Sequence, residues 1–274
     1  MIYMGHYLLG TYEVFANLHG INVDDFAMVL PEIKARNASI IFDDGLKCHL
    51  EAAELCLEKG IDISFAIPEQ AVSVPDILLV HKAHLCVAHL EEYKIKSELS
   101  NFCEYRVIID KVEKLGFYKH QDSSMTVKAF KYLVNYSNID VSNIVESLFS
   151  EIKSSFLPIN FYMTKLEIQD IAKRGIKILP HGKSHQNLRQ LALDNKFVAV
   201  DDILESIKFA NRYNSVESFV LPFGTPDSVN MAVIEMILSN GVKNIITALP
   251  STNLFSLESV SSLVPRTDLK VLLQ

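Results

Sequence analysis

The chain has no tryptophan, no CxxC cysteine pair, no block of lysine and arginine, and no apolar run long enough to span a bilayer. Each absence removes a class of function. Without clustered positive charge, and with a formal net charge of −7, the chain is not expected to bind nucleic acid, because neutralising phosphates requires grouped cations. Cys48, Cys56, Cys86 and Cys103 have no metal-binding or redox spacing. Met1 to Gly10 lacks a charged segment followed by a long apolar one, so no signal peptide is expected. The four cysteines then read as reduced thiols in a cytoplasmic protein. There is no transmembrane segment, internal repeat or low-complexity tract.

What is present fits a soluble enzyme. Nearly half of the 274 residues are apolar, enough for a sizeable core. Short β-branched runs alternate with amphipathic segments. Ser39 to Phe42 reads as a strand, and Leu46 to Lys59 as a helix carrying Leu50, Ala53 and Leu57 on one face and closed by Gly60. Ile61 to Ile67 is the next apolar run. Later, Thr164 and Glu167 form a capping box that opens a helix to Arg174. Ile176 to Leu179, Val216 to Leu221 and Lys243 to Thr247 read as strands. Asp201 to Tyr213, with Ile203, Ile207 and Ala210 aligned, and Met231 to Ser239 read as helices. This alternation predicts an α/β fold with a parallel sheet or barrel. Residues 70 to 160 are different: helical in pattern, poor in strand signals, and too apolar for a linker. They read as a helical insertion within a single domain spanning 1 to 274.

Three polar clusters each follow an apolar strand: Asp43-Asp44-Gly45, His181-Gly182-Lys183-Ser184-His185 and Pro222-Phe223-Gly224. Barrels of parallel strands build active sites at their C-terminal strand ends. On one helical turn, His181 and His185 would point the same way and grip one ion; two surface histidines at helical spacing are the plain alternative. Two adjacent carboxylates behind a buried strand are costly unless something positive lies near. A helix N-cap explains one of them, and a divalent ion explains both. One aspartate and two histidines suit metal-assisted hydrolysis or oxygen activation by iron. The α/β pattern, and an Asp far upstream of the histidine pair, favour hydrolysis.

These motifs resemble the NodB-homology polysaccharide deacetylases, carbohydrate esterase family 4. The family's T-F-D-D-G is similar to Ile41-Phe42-Asp43-Asp44-Gly45. Its H-[ST]-x-x-H resembles His181 to His185, followed here by Gln186-Asn187-Leu188. Its F-A-Y-P-Y-G resembles Phe219-Val220-Leu221-Pro222-Phe223-Gly224. Ile63 to Ile67, Phe161 to Thr164 and Val264-Pro265-Arg266 extend the likeness, which covers about residues 37 to 68 and 160 to 268. The resemblance implies a distorted (β/α)7-type barrel. It implies a divalent metal, Zn with Co, Ni or Mn as alternatives, held by Asp44, His181 and His185. Asp43 would be the general base, and a backbone N–H near Phe223, between Pro222 and Gly224, would hold the oxyanion. The substrate class is an N-acylated sugar of a surface polysaccharide or a nucleotide- or lipid-linked precursor. A deformylase, or a non-catalytic sugar-binding descendant, would share the same motifs.

The chain departs from the pattern in three places. Ile41 replaces the family's Thr, and Val220 stands where one version has Arg. No histidine follows His185, where the family has its catalytic acid. His6 is the candidate substitute, and Arg266 is a candidate for orienting Asp43. His81 and His84 follow the apolar run Ile77 to Val80 and read as structural.

Overall fold

The computed structural model describes residues 1–101, 105–115, 122–137, 139–156, 161–248 and 262–273. Two compact units emerge: one formed by Met1–Asp76 with Pro158–Gln274, the other by Ile77–Leu157.

The first unit opens with β1 (Ile2–Gly5), β2 (Leu8–Leu9), β3 (Ile21–Asn22), α1 (Val23–Ala35), β4 (Ser39–Asp43), α2 (His49–Lys59), β5 (Ile63–Ile67) and α3 (Glu69–Ser73). The second unit holds α4 (Leu79–His89), α5 (Glu92–Ser100), α6 (Tyr105–Leu115), α7 (Met125–Tyr136) and α8 (Ser142–Ser150), with no strand among its described residues. The chain then returns to the first unit with α9 (Lys165–Lys173), β6 (Lys177–Pro180), α10 (Leu188–Asp194), α11 (Lys196–Ala210), β7 (Ser218–Val220), α12 (Met231–Leu238), β8 (Asn244–Thr247), β9 (Leu263–Pro265) and β10 (Thr267–Asp268).

Local sequence explains the element ends. Gly60 takes φ 62°, a left-handed cap that glycine adopts without steric penalty, and stops α2. The Thr164–Glu167 capping box is formed at the start of α9. Two expectations need correction. The helix after β4 begins at His49, not Leu46, because Leu46 makes a β-bridge with Tyr162 and the Lys47 N–H donates to the Phe161 carbonyl at 2.8 Å. Its buried face is His49, Ala52, Ala53 and Cys56, rotated from the Leu50–Ala53–Leu57 stripe.

All ladders among the described residues of the first unit are parallel. One sheet runs β10-β1-β4-β5-β6, and another β7-β8-β9. Arg266 alone separates β9 from β10, so one extended segment serves both sheets. Beside β6, the Asn214 side chain takes the place of a neighbouring strand: it accepts from Ile178 N–H at 2.7 Å and donates to Ile178 O at 3.1 Å. Ile41, Ala66, Leu179, Val220 and Ile246, from five different strands, form one cluster with Ile2 and Val264 packed against it. Burying such side chains stabilises by about 1.5–3 kcal/mol each. No described helix is long and apolar enough to cross a membrane.

Cys48, Cys56 and Cys86 are buried free thiols, each pushed up to about 12 by burial, so they are unreactive at neutral pH. Cys103 lies outside the described residues.

Candidate active site and metal centre

Because the strands are parallel, their C-terminal ends share one edge. Register then decides what meets there. Gly5 pairs with Phe42, so the next residues, His6 and Asp43, fall side by side. Asp43 in turn pairs with Ala66, and Ala66 with Leu179. His181 follows β6 directly, and Arg266 lies between β9 and β10. The register of the sheet thus brings Arg266 onto Asp43, 223 positions away in sequence.

Asp44 turns out of β4 with φ 83°, a left-handed angle unusual for a non-glycine, and Gly45 follows at 67°. The turn is held by Asp44 N–H donating to Ala66 O (2.8 Å) and Met163 N–H donating to Gly45 O (2.9 Å). A side chain on Gly45 would lie 2.8 Å from Ile67 Cγ2, so the position has no room for one.

The histidines are not on a helix. Residues 181 to 187 form a loop, with Gly182 at φ 72° and His185 at φ 54°. The helical-turn expectation for the pair is therefore wrong, although both imidazoles are buried and meet edge to face, 4.9 Å between ring centres. The loop folds this way because its backbone is bonded on two sides, by α3 and by α11, rather than along its own axis. Nor does either aspartate cap α2, which begins five residues beyond Asp44.

Asp44 Oδ1 lies 3.0 Å from His185 Nε2 and 3.6 Å from His181 Nε2, and the three ligand atoms lie within 4.8 Å of one another. Ligands about 2.1 Å from a tetrahedral ion stand roughly 3.4 Å apart, so the spacing matches one small cation. His181 supplies the sharper test. Its Nδ1–H donates to Val220 O at 2.9 Å, which leaves the Nε2 lone pair facing inward. That Nε2 is buried and has no hydrogen-bond partner, a state a metal ion would relieve. The residues fit a divalent ion.

Asp43 is a separate device. Arg266 grips both its oxygens, Nη1 to Oδ1 at 2.6 Å and Nη2 to Oδ2 at 2.8 Å, with both side chains buried. Burial pushes the Asp43 carboxyl up, but Arg266, with His181 and His6 adding, pulls harder and holds it below its ordinary range. For His185, burial disfavours the charged form; the Asp44 carboxylate outweighs it and raises the imidazole. His6 Nε2 stands 3.7 Å from Asp43 Oδ2, and the His6 side chain is 44% exposed, so it alone of the group opens to solvent. Pro222, Phe223 and Gly224 form a tight turn, with φ 62° at Phe223 and 59° at Gly224 and Gly224 N–H donating to Pro222 O at 2.7 Å. The Phe223 ring meets His185 edge to face at 4.9 Å.

His81 lies buried on α4 in the second unit. Two residues near the site carried no sequence motif. His49, fully buried in the first turn of α2, stacks on Phe65, meets Phe42 at a tilt and donates from Nε2 to the His6 carbonyl at 2.7 Å. Asp202, on α11, meets the His181–His185 loop. A charged residue inside a mainly apolar helical stripe was the available signal: Ala199, Asp202, Ile203, Ser206 and Ile207 share the buried face of α11.

No protein-family model matches the chain, and no curated protein is similar to it in sequence. Solved structures do match in fold. The polysaccharide deacetylase BC0361 from Bacillus cereus superposes with a TM-score of 0.52 at 11% identity, covering 97% of this chain and 63% of that one. IcaB from Ammonifex degensii superposes at 0.53 and 10% identity, covering 98% and 91%. The Streptococcus pyogenes deacetylase PplD gives 0.50 at 11%, covering 98% and 90%. This chain therefore spans under two thirds of the B. cereus protein and nearly all of the other two. From β1 to β10, its fold is that of the polysaccharide deacetylases.

Proposed function

We propose that this chain is a metal-dependent N-deacetylase of the NodB-homology kind, acting on an N-acetylated amino sugar of a surface polysaccharide or its nucleotide- or lipid-linked precursor in the cytoplasm. The observation that carries this reading is the convergence of Asp44, His181 and His185 beside a carboxylate pinned by Arg266. The two sheets, joined through β9 and β10, are read as a distorted (β/α)7 barrel within one domain that carries residues 70 to 160 as an insertion.

Asp44, His181 and His185 would hold the ion, most simply Zn(II). When bound, it lowers the pKa of water and polarises an amide carbonyl. Asp43 accepts the proton of the attacking water. Arg266 keeps that carboxylate ionised and fixes its direction, so the base is ready at neutral pH. The Phe223 N–H donates to the developing oxyanion; losing one such donor typically costs about 3 kcal/mol of barrier. His6, beside Asp43 and open to solvent, gives a proton to the departing amine. It occupies, from the other end of the chain, the role left by the missing late histidine.

The test is amine release from N-acetylhexosamine oligomers and nucleotide-linked N-acetylhexosamines by purified protein supplied with Zn(II) or Co(II). Release is expected, falling at least a hundredfold in Asp43→Asn and substantially in His6→Ala. Release that survives Asp43→Asn unchanged would refute the reading.

A further inference from the structure

The loop that carries both histidines is strained and short, and something must fix it. His185 sits at φ 54°, where a side chain raises the backbone energy by roughly 1–2 kcal/mol, and Gly182 sits at φ 72°. Such angles persist only when the surroundings over-determine them. The carbonyl side of the loop is met by the first N–H groups of α3: Gln70 N–H donates to Lys183 O at 2.8 Å, and Glu69 N–H to Gly182 O at 3.3 Å.

The N–H side converges on one group. The Asp202 carboxylate accepts from Lys183 N–H at 2.7 Å through Oδ1, from Ser184 N–H at 3.1 Å through Oδ2, and from the Ser184 hydroxyl at 2.6 Å through Oδ2. Asp202 is buried, on the inward face of α11, where its neighbours are apolar apart from Ser206 one turn on. Both carboxylate oxygens are used, and all three donors lie on the two residues immediately before His185. A Cβ on Gly182 would come within 3.0 Å of Asp202 Oδ1, so this glycine is what lets the carboxylate approach. The Lys183 ammonium bonds Asp201 at 2.8 Å, but that pair is exposed and contributes little.

We propose that Asp202 is a positioning residue for the metal centre: its carboxylate clamps the Lys183–Ser184 backbone and thereby sets the His181-to-His185 separation that one cation requires. The inference rests on the metal reading above. It assigns to α11 a function beyond packing, and it places the clamp on backbone amides rather than on the imidazoles. Partners of this outer kind typically contribute 10–100-fold to metal affinity.

The experiment is titration of the metal-free full-length chain with Co(II), following both affinity and the visible absorption of the bound ion, for the wild type, Asp202→Asn, Ser184→Ala and the exposed control Lys208→Ala. Asp202→Asn keeps one or two of the three accepted bonds, according to which way the amide faces, and in either orientation sets an NH2 against a backbone N–H. Its dissociation constant is expected to rise 10–100-fold, with an altered absorption envelope. Ser184→Ala, which removes one of three donors, is expected to lose a few fold, and Lys208→Ala nothing. A merely structural Asp202 would lower the melting temperature without moving affinity or spectrum, and that result overturns the proposal. Should Asp202→Asn fail to fold, Ser184→Ala decides: wild-type affinity in that variant also overturns it. A wild type that binds no Co(II) refutes the metal reading itself, a different failure from variants that bind as tightly as the parent.

Discussion

The two compact units bury charge in different ways. In the helical unit, Lys82 pairs with Glu146 at 2.6 Å and Lys131 with Asp122 at 3.0 Å, and Glu146 is half exposed. In the unit that holds the strands, Arg266 and Asp43 are both fully enclosed, and the enclosed Asp44 carboxylate faces two imidazoles. Backbone strain divides the same way. Among the described residues, the non-glycine ones with left-handed φ are Asn17, Asn37, Asp44, His185 and Phe223, all in the strand-bearing unit and three of them at the site. Strain and enclosed charge that coincide mark where a fold gives up stability for a purpose.

The largest effect should come from Arg266. Arg266→Met leaves Asp43 buried without its cation, which is expected to cost about 3–5 kcal/mol. Lys82→Met in the helical unit leaves the Glu146 carboxylate where water already reaches it, and should cost less than Arg266→Met. Urea unfolding of the two variants measures the contrast directly; equal losses would erase it.

Next is pH. His49 is buried, its Nδ1 has no hydrogen-bond partner, and burial holds it down to about 4. Burial is the dominant cause, and the His6 carbonyl and the Asp44 charge only partly offset it. The folded imidazole therefore stays neutral while the unfolded one takes a proton near pH 6.5. The unfolded state binds more protons between about 6.5 and 4, so stability is full above that window and declines as pH falls through it, by about 3 kcal/mol from this group alone. The decline, measured on metal-free protein as the difference from His49→Phe, should be shallower in the variant. Parallel curves would show that His49 is not enclosed as described.

Two glycines sharpen the comparison inside one unit. A methyl on Gly224 would sit 2.4 Å from the Ala248 backbone nitrogen, whereas one on Gly175 would meet nothing within 4 Å, and both have positive φ. Gly175→Ala should cost about 1 kcal/mol, the backbone penalty alone. Gly224→Ala should cost clearly more, because backbone must shift, and should lower the melting temperature further than Gly175→Ala. The smallest effects belong to the helix caps. Thr164 and Ser124 each accept from a backbone N–H at the start of α9 and α7. Substituting either by Ala should cost about 1 kcal/mol, alike in both units, as read by thermal melts.

Much of this was legible in the sequence, and the residues show why. Asp43, Asp44, His181 and Arg266 each sit at or just past the end of an apolar strand, and parallel pairing brings such ends together whatever lies between. Among the described residues of 70 to 160 the structure holds helices α3 to α8 and no strand, as a local periodicity can signal. What failed was local geometry set from a distance. The His181–His185 spacing reads as a helical turn, but α3 and α11 claim the loop's hydrogen bonds and Gly182 permits the left-handed bend. His49 was missed because its partner lies 43 positions away, and Asp202 because its partners lie 18 and 19 away, and no spacing rule joins them. Each nonetheless sits on the buried face of an amphipathic helix, where a polar residue needs a reason.

The central claim is that Asp44, His181 and His185 hold one divalent ion. It is tested most directly by metal analysis of chelator-stripped protein after equilibration with Zn(II) and desalting, comparing the wild type with Asp44→Ala/His181→Ala. One zinc per wild-type chain and none in the double variant is the expected result. Equal zinc in both, or none in the wild type, would contradict it.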